Sequence, residues 1–153
     1  MLATRPLLHA TSSMKDKFFV DTNVLVYTQD LSAGEKCLRA QKLAQELWES
    51  RTGVVSTQIL QEFYIALRRK LASPKSAVEA EQIVRDYFDW EVIINNRTSI
   101  VRAIEMENKH KISFWDGLIL QAAEKAGART IYSEDLSHGS SYSGLLVINP
   151  FRS

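Results

Sequence analysis

The apolar positions of this chain fall into short runs that alternate with amphipathic stretches. Phe18-Phe19-Val20 is an unbroken apolar run that stops at Asp21-Thr22-Asn23, the pattern of a buried strand leaving a sheet. Val24-Leu25-Val26-Tyr27 continues apolar and turns helical. Residues 35–49 space Cys37, Ala40, Leu43, Ala44, Leu47 and Trp48 as one helical stripe, with Ser32-Ala-Gly-Glu35 as its capping box. Gly53-Val54-Val55 predicts a second strand. Ser56 then stands at the N-cap of a helix striped by Ile59, Leu60, Phe63, Leu67 and Leu71, which ends before Pro74. Ser76-Ala-Val-Glu79 opens another helix, with Val78, Ile83, Val84, Tyr87 and Phe88 expected inward. Val92-Ile93-Ile94 predicts a strand, and residues 98–108 a helix through Ile100, Val101, Ile104 and Met106. Ser113 is placed to cap a helix carrying Trp115, Leu118, Ile119, Ala122 and Ala123, stopped by Gly127. Arg129-Thr-Ile-Tyr132 and Leu145-Leu-Val-Ile148 complete the strands, the last ended by Asn149-Pro150.

Strands separated by helical patterns imply crossover connections and a mostly parallel sheet with helices on both faces. The expected class is therefore α/β. The chain has 153 residues, which fits one domain, spanning 14–153. A chain of this size buries about 68–70% of its unfolded surface and needs no disulfide staples. Residues 1–13 hold no acid, and Arg5-Pro6 interrupts any apolar signal core. They are expected to be a disordered leader or an over-long start.

Composition narrows the chemistry. The single cysteine, Cys37, excludes an internal disulfide framework and any cysteine-based zinc site. His9, His110 and His138 show no zinc-ligand spacing. No apolar run reaches the roughly 18 residues of a membrane span, and a lone thiol without a signal peptide makes the cytoplasm the expected compartment. Cys37 fits a small buried hydrophobe. Tyr27, Phe63, Trp90 and Trp115 are expected in the core or an interface rather than as base-stacking platforms.

In open parallel sheets, ligands bind outside the carboxyl ends of the strands. Asp21 directly follows the first strand, and Asp135 follows Thr-Ile-Tyr-Ser-Glu. Glu62, between Leu60 and Phe63 within the helix after the second strand, and Asp116, in the first turn of a later helix, start near the same edge. Each acid also has a plain structural reading. Asp116 completes a capping box with Ser113, Asp21 can open a turn that Asn23 caps, Glu62 can be a solvated helix residue, and Asp135 or Glu134 can be loop acids. Jointly they say more. Two bare charges about 4 Å apart repel by about 4 kcal/mol at an effective dielectric of 20, so a converging cluster demands protons or cations. Hard oxygen ligands suit Mg²⁺ or Mn²⁺, which favour phosphate oxygens and support in-line phosphoryl displacement. That is the chemistry of a metal-dependent nuclease.

Four segments carry a resemblance. Phe19-Val-Asp21-Thr-Asn23-Val-Leu-Val-Tyr27, Ser56-Thr-Gln-Ile-Leu-Gln-Glu62-Phe-Tyr64, Ser113-Phe-Trp-Asp116-Gly-Leu-Ile-Leu-Gln-Ala-Ala123 and Thr130-Ile-Tyr-Ser133-Glu-Asp135-Leu136 occur in the order of the PIN domain motifs. The terminal Ile148-Asn-Pro-Phe151 suits that family too. The resemblance covers residues 16–151 and implies a Rossmann-like α/β/α sandwich and a Mg²⁺- or Mn²⁺-dependent endoribonuclease. Its acidic quartet carries over to Asp21, Glu62, Asp116 and Asp135, with Asn23 and Ser133 in supporting polar positions. Glu134 is an alternative ligand beside the fourth acid. Short members of this kind resemble VapC toxins of type II toxin–antitoxin pairs, which implies an RNA substrate, an antitoxin protein and a homodimer, with no membrane partner. The apolar helices 35–49 and 76–88 are the candidate interface surfaces.

Charge fits this expectation once the acids are placed. The net charge is +1, but without the quartet 14 of the 18 acids remain against 19 bases, a net of +5 for the rest. Arg68-Arg69-Lys70 and Lys109-His110-Lys111 are candidate RNA-facing rims, of which Arg68, Arg69, Lys109 and Lys111 are the residues singled out. Helix-end cations also serve the helix dipole, which is their simpler role. Two other functions compete. A haloacid-dehalogenase-type phosphatase would use Asp21 as a nucleophile, but it wants a second Asp where Asn23 stands. A non-catalytic RNA- or protein-binding module could keep the same fold.

Overall fold

The computed structural model describes residues 15–152; the expected leader, 1–13, lies outside them. In chain order the elements are β1 (Phe18–Val20), α1 (Thr22–Gln29), α2 (Glu35–Ser50), β2 (Gly53–Ser56), α3 (Thr57–Arg69), α4 (Ala77–Asp86), β3 (Glu91–Ile93), α5 (Arg97–His110), α6 (Phe114–Ala126), β4 (Thr130–Tyr132), β5 (Ser141–Tyr142) and β6 (Leu145–Ile148). Short 3-10 turns at Leu31–Ala33 and Tyr87–Asp89 precede α2 and follow α4.

The strands form one sheet in the order β3-β2-β1-β4-β6-β5. All pairings are parallel except β5 with β6. The result is the three-layer α/β/α sandwich with a mostly parallel sheet that the alternation predicts. Its centre is made by Phe19, Val20, Val54, Val55, Ile131 and Val147 from the strands, with Leu25, Ile59, Phe63, Leu67, Met106 and Leu120 from the helices, all fully buried. From β1 the chain moves outward through β2 to β3. It then returns to β4 on the other side of β1. The β1–β4 junction is thus the topological switch point, where loops diverge and leave a crevice.

Several caps behave as expected. Ser56 accepts the Ile59 N–H, Ser113 accepts the Asp116 N–H, and Ser76 and Glu79 form a reciprocal capping box. The Ser32–Glu35 capping box does not form. Asp30 instead caps the 3-10 turn by accepting from Ser32, and α2 starts from Gly34 with φ of 60° and no side-chain cap. The positive φ turns the chain between the two helices and removes Ser32 from reach of the α2 amides.

The apolar faces also differ in places from the periodic reading. On α5 the buried stripe is Ser99, Ala103 and Met106, while Ile100, Val101 and Ile104 face outward. The cause is close packing against α6: a Cβ at Gly117 would lie 2.6 Å from the Ala103 carbonyl oxygen, an approach only small residues permit. Val78 and Phe88 are likewise exposed rather than inward, whereas Tyr87 is buried; Ile94, expected in the third strand, is exposed just past its end. Tyr87 joins Trp48 and Trp90 in an aromatic cluster with ring centroids 4.8–5.4 Å apart. Cys37 is buried, as a small core residue should be. Among the described residues no helix is long and apolar enough to cross a membrane.

Candidate active site

The crevice at the switch point is a groove of about 670 Å³ whose lining includes Asp21, Glu62, Asp116 and Asp135. Asp21 comes from the end of β1. Its carboxylate caps α1 by accepting the Thr22 N–H at 2.7 Å, and it also accepts the Ser133 hydroxyl at 2.7 Å. Ser133, fully buried just past β4, accepts in turn from the N–H groups of Asp135 and Leu136. One hydroxyl thereby ties the first strand end to the loop that carries the fourth acid.

Asn23 makes a second tie. Its amide nitrogen donates to Asp21 at 3.3 Å and to Asp135 at 3.0 Å, while its oxygen accepts the Glu134 N–H at 3.1 Å. Thr22 provides a third, donating its hydroxyl to Glu62 at 2.6 Å. Glu62 is exposed on α3 and also receives the Gln58 amide at 3.4 Å, which donates equally to the Trp115 carbonyl. Gln58 is buried, and its Oε1 has no hydrogen-bond partner. The residue is kept polar for its other end, which bridges α3 to α6. Asp116 sits half-buried in the first turn of α6, held by the Ser113 cap.

The electrostatics follow from this crowding. Burial pushes the Asp21 carboxyl up to about 6; the Ser133 and Thr22 hydrogen bonds oppose that rise, and the charges of Asp135 and Glu62 add to it. Burial also raises Asp116, again with help from Asp135 and Glu62. Among the described residues none of the four acids forms an ion pair with Lys or Arg. A cluster of oxygen donors with excess negative charge and no internal cation fits a hard divalent ion. The side chains are not drawn into a ready chelate, because among the described residues no group of three His, Cys, Asp or Glu stands close enough to hold a metal. An open set of this kind suits a divalent ion that keeps several waters and takes few protein ligands.

Glu134 is placed differently from the quartet. It pairs with Lys36 and accepts the Tyr27 hydroxyl at 2.8 Å, and the Lys36 ammonium lies over the Tyr27 and Phe151 rings. Glu134 does not line the groove, and its charge is already matched. Of the candidate rim cations, Lys70 lines the groove. Arg68 donates to the Lys75 carbonyl, Arg69 is exposed at the end of α3, and Lys109 reaches Ser143 in the β5–β6 turn. Lys111 is exposed at the C-cap of α5. Thr22, Gln58 and Trp115 are groove residues that motif reasoning passed over. Thr22 had a signal, since it lies between the two singled-out residues of Asp21-Thr-Asn23.

The PIN domain family model matches residues 18–138 of this chain. The chain belongs to the PIN domain family. No curated protein matches this PIN domain in sequence. Among solved structures it is similar to the Mycobacterium tuberculosis toxin VapC20, described as cleaving the sarcin–ricin loop. That match has a TM-score of 0.61 at 22% identity and covers 78% of this chain and 90% of the toxin. It is also similar to a chain of a toxin–antitoxin complex from Klebsiella pneumoniae, with a TM-score of 0.63 at 18% identity over 90% of this chain and 100% of that chain. At these identities the likeness is one of fold.

Proposed function

We propose that this PIN domain is a Mg²⁺- or Mn²⁺-dependent endoribonuclease that hydrolyses RNA phosphodiester bonds, and that it is the toxin of a type II toxin–antitoxin pair. One observation carries the reading: four carboxylates, from the end of β1, from α3, from α6 and from the loop after β4, line a single groove at the switch point, and among the described residues no cation is paired to them. Family membership and the fold shared with one toxin and with a chain of a toxin–antitoxin complex support it. An antitoxin protein, a homodimer and a cytoplasmic location belong to the same proposal.

Asp21, Glu62, Asp116 and Asp135 are the residues that would hold the ion, which when bound supplies Lewis-acid charge beside the scissile phosphate. The chain's own work is positioning. Ser133 and Asn23 fix the Asp21 carboxylate, Asn23 also fixes Asp135, and Thr22 aims Glu62. Hydrolysis joins a water oxygen to phosphorus, breaks the bond from phosphorus to the leaving oxygen, and passes the water's proton to an acceptor; the groove carboxylates are the acceptors at hand. Lys70 lines the groove and would meet a flanking phosphate, with Arg68 and Arg69 directly before it in the last turn of α3.

The test is Asp116→Asn. Cleavage of RNA at fixed metal concentration should fall by roughly 100-fold or more, with circular dichroism and melting temperature unchanged. Retained turnover would remove Asp116 from the site. A wild-type protein that binds RNA yet never cuts it with either metal would instead mark a binding module on this fold.

A further inference from the structure

Trp115 is a large apolar side chain that neither the core nor the acidic groove's proposed chemistry uses. Trp90 is 7% exposed and packs with Trp48 and Tyr87, whereas Trp115 is 63% exposed. It occupies the second position of α6, directly before Asp116, and lines the acidic groove together with Gln58, Gln61, Ile65 and Lys70. Its backbone is firmly held. Ser113 caps the helix beneath it, Gly117 sits against the Ala103 carbonyl, and the Gln58 amide donates to its own carbonyl at 3.4 Å. The Phe114 ring meets the indole edge-on at 5.3 Å. A rigidly mounted, solvent-facing indole beside the acids is a different object from the core aromatic that its place on the helix suggests.

We propose that Trp115, with Gln61 and Ile65 of α3 lining the same groove, forms a subsite that seats an unpaired nucleobase next to the scissile phosphate. The proposal rests on the ribonuclease reading and sharpens it. The groove's chemistry matches a nucleotide part by part. The indole and Ile65 offer apolar contact to the base faces, the Gln61 amide offers a donor and an acceptor to the base edge, and Lys70 offers charge to a neighbouring phosphate. Stacking on an aromatic ring tolerates every base, because every base has a π face. A base inside a duplex has both faces covered by its neighbours, so the indole can engage only a strand that is unpaired there. Gln58 bridges the Trp115 carbonyl to Glu62, so a base seated on the indole is registered to the carboxylates.

The experiment uses the full chain in EDTA, so that binding is measured without cutting. The probes are a short single-stranded RNA, its duplex, and an abasic ribose–phosphate strand of equal length, read by fluorescence anisotropy and by tryptophan quenching. Wild type should bind the single strand tightest and show quenching. Trp115→Ala should weaken single-strand binding on the order of tenfold, abolish the quench and leave abasic binding unchanged. Trp115→Phe should restore much of the lost affinity. Exposure of the ring means that melting temperatures should match. If wild type binds RNA in EDTA and cuts it once Mg²⁺ is added, but Trp115→Ala does both equally well, the subsite falls while the ribonuclease reading stands. If wild type neither binds nor cuts any RNA, both fall. A wild-type self-association that Trp115→Ala abolishes, with no fluorescence response to RNA, would assign the ring to an interface between copies and overturn the subsite.

Discussion

Asp21 does two things that pull in opposite directions. It caps α1 and anchors Ser133, which favours the charged carboxylate, while burial and two neighbouring acids disfavour it. Its carboxyl is raised from 3.8 to about 6, so the folded state binds its proton more tightly than the unfolded state does. Stability contributed by the protonated form is then full below about 3.8 and lost as pH rises through about 6. A rise of that size corresponds to about 3 kcal/mol, and an amide would replace only part of the carboxylate's hydrogen bonding. In EDTA, Asp21→Asn should therefore stabilise the protein near pH 8 by about 1–2 kcal/mol. Urea denaturation across pH checks it: the gain should shrink as pH falls from about 6 to about 4, and a constant or reversed difference would contradict the assignment. Lys36 acts at the same scale. It holds Glu134, next to Asp135, through a half-exposed pair, worth at most about 1 kcal/mol. Lys36→Met should scarcely change the melting temperature yet lower cleavage several-fold by loosening the Asp135 loop. Normal cleavage would show that Ser133, Asn23 and Tyr27 hold the loop without Lys36.

At the scale of elements, α6 is the member that tolerates least change. Its Gly117 backs onto the Ala103 carbonyl, and a methyl group there would push α6 from α5. Gly117→Ala should cost about 1–3 kcal/mol as an overpacked contact, and it should depress cleavage as well, because Asp116 precedes the glycine. Thermal melting and activity measured together decide this, and a variant of wild-type stability would refute the close approach. This contact also explains which elements the sequence made legible. Strands β1, β2, β4 and β6 stood out as compact apolar runs, and Ser56, Ser76 and Ser113 announced their helices because side-chain caps are local chemistry. The buried face of α5 was hidden, since Ser99 and Ala103 are too small to stand out beside Ile100, Val101 and Ile104. The Ser32–Glu35 pattern misled because Asp30, just before it, takes the capping role. Two-residue β5 carries too little pattern to be seen.

For the whole molecule, the site is a product of strand order. The chain leaves β1, builds outward to β3 and returns beside β1 as β4, which brings Asp21 and Asp135 within reach of one Asn23 amide although 114 positions divide their numbers in the sequence. All four acids were legible as a joint pattern near one sheet edge, two after strands and two on helices that start there, while each alone passes for a turn, cap, loop or solvated residue; the family resemblance joined them into one quartet. The exposure of Trp115 was not legible at all: helical spacing assigns a residue to a stripe but says nothing of where a groove opens. The most direct measurement is cleavage of total cellular RNA by the purified full chain with Mg²⁺ or Mn²⁺, with EDTA, and with Asp21→Ala alongside. The account predicts discrete cutting that needs the metal and disappears in EDTA and in the variant. Cutting that persists in EDTA or in folded Asp21→Ala would contradict it.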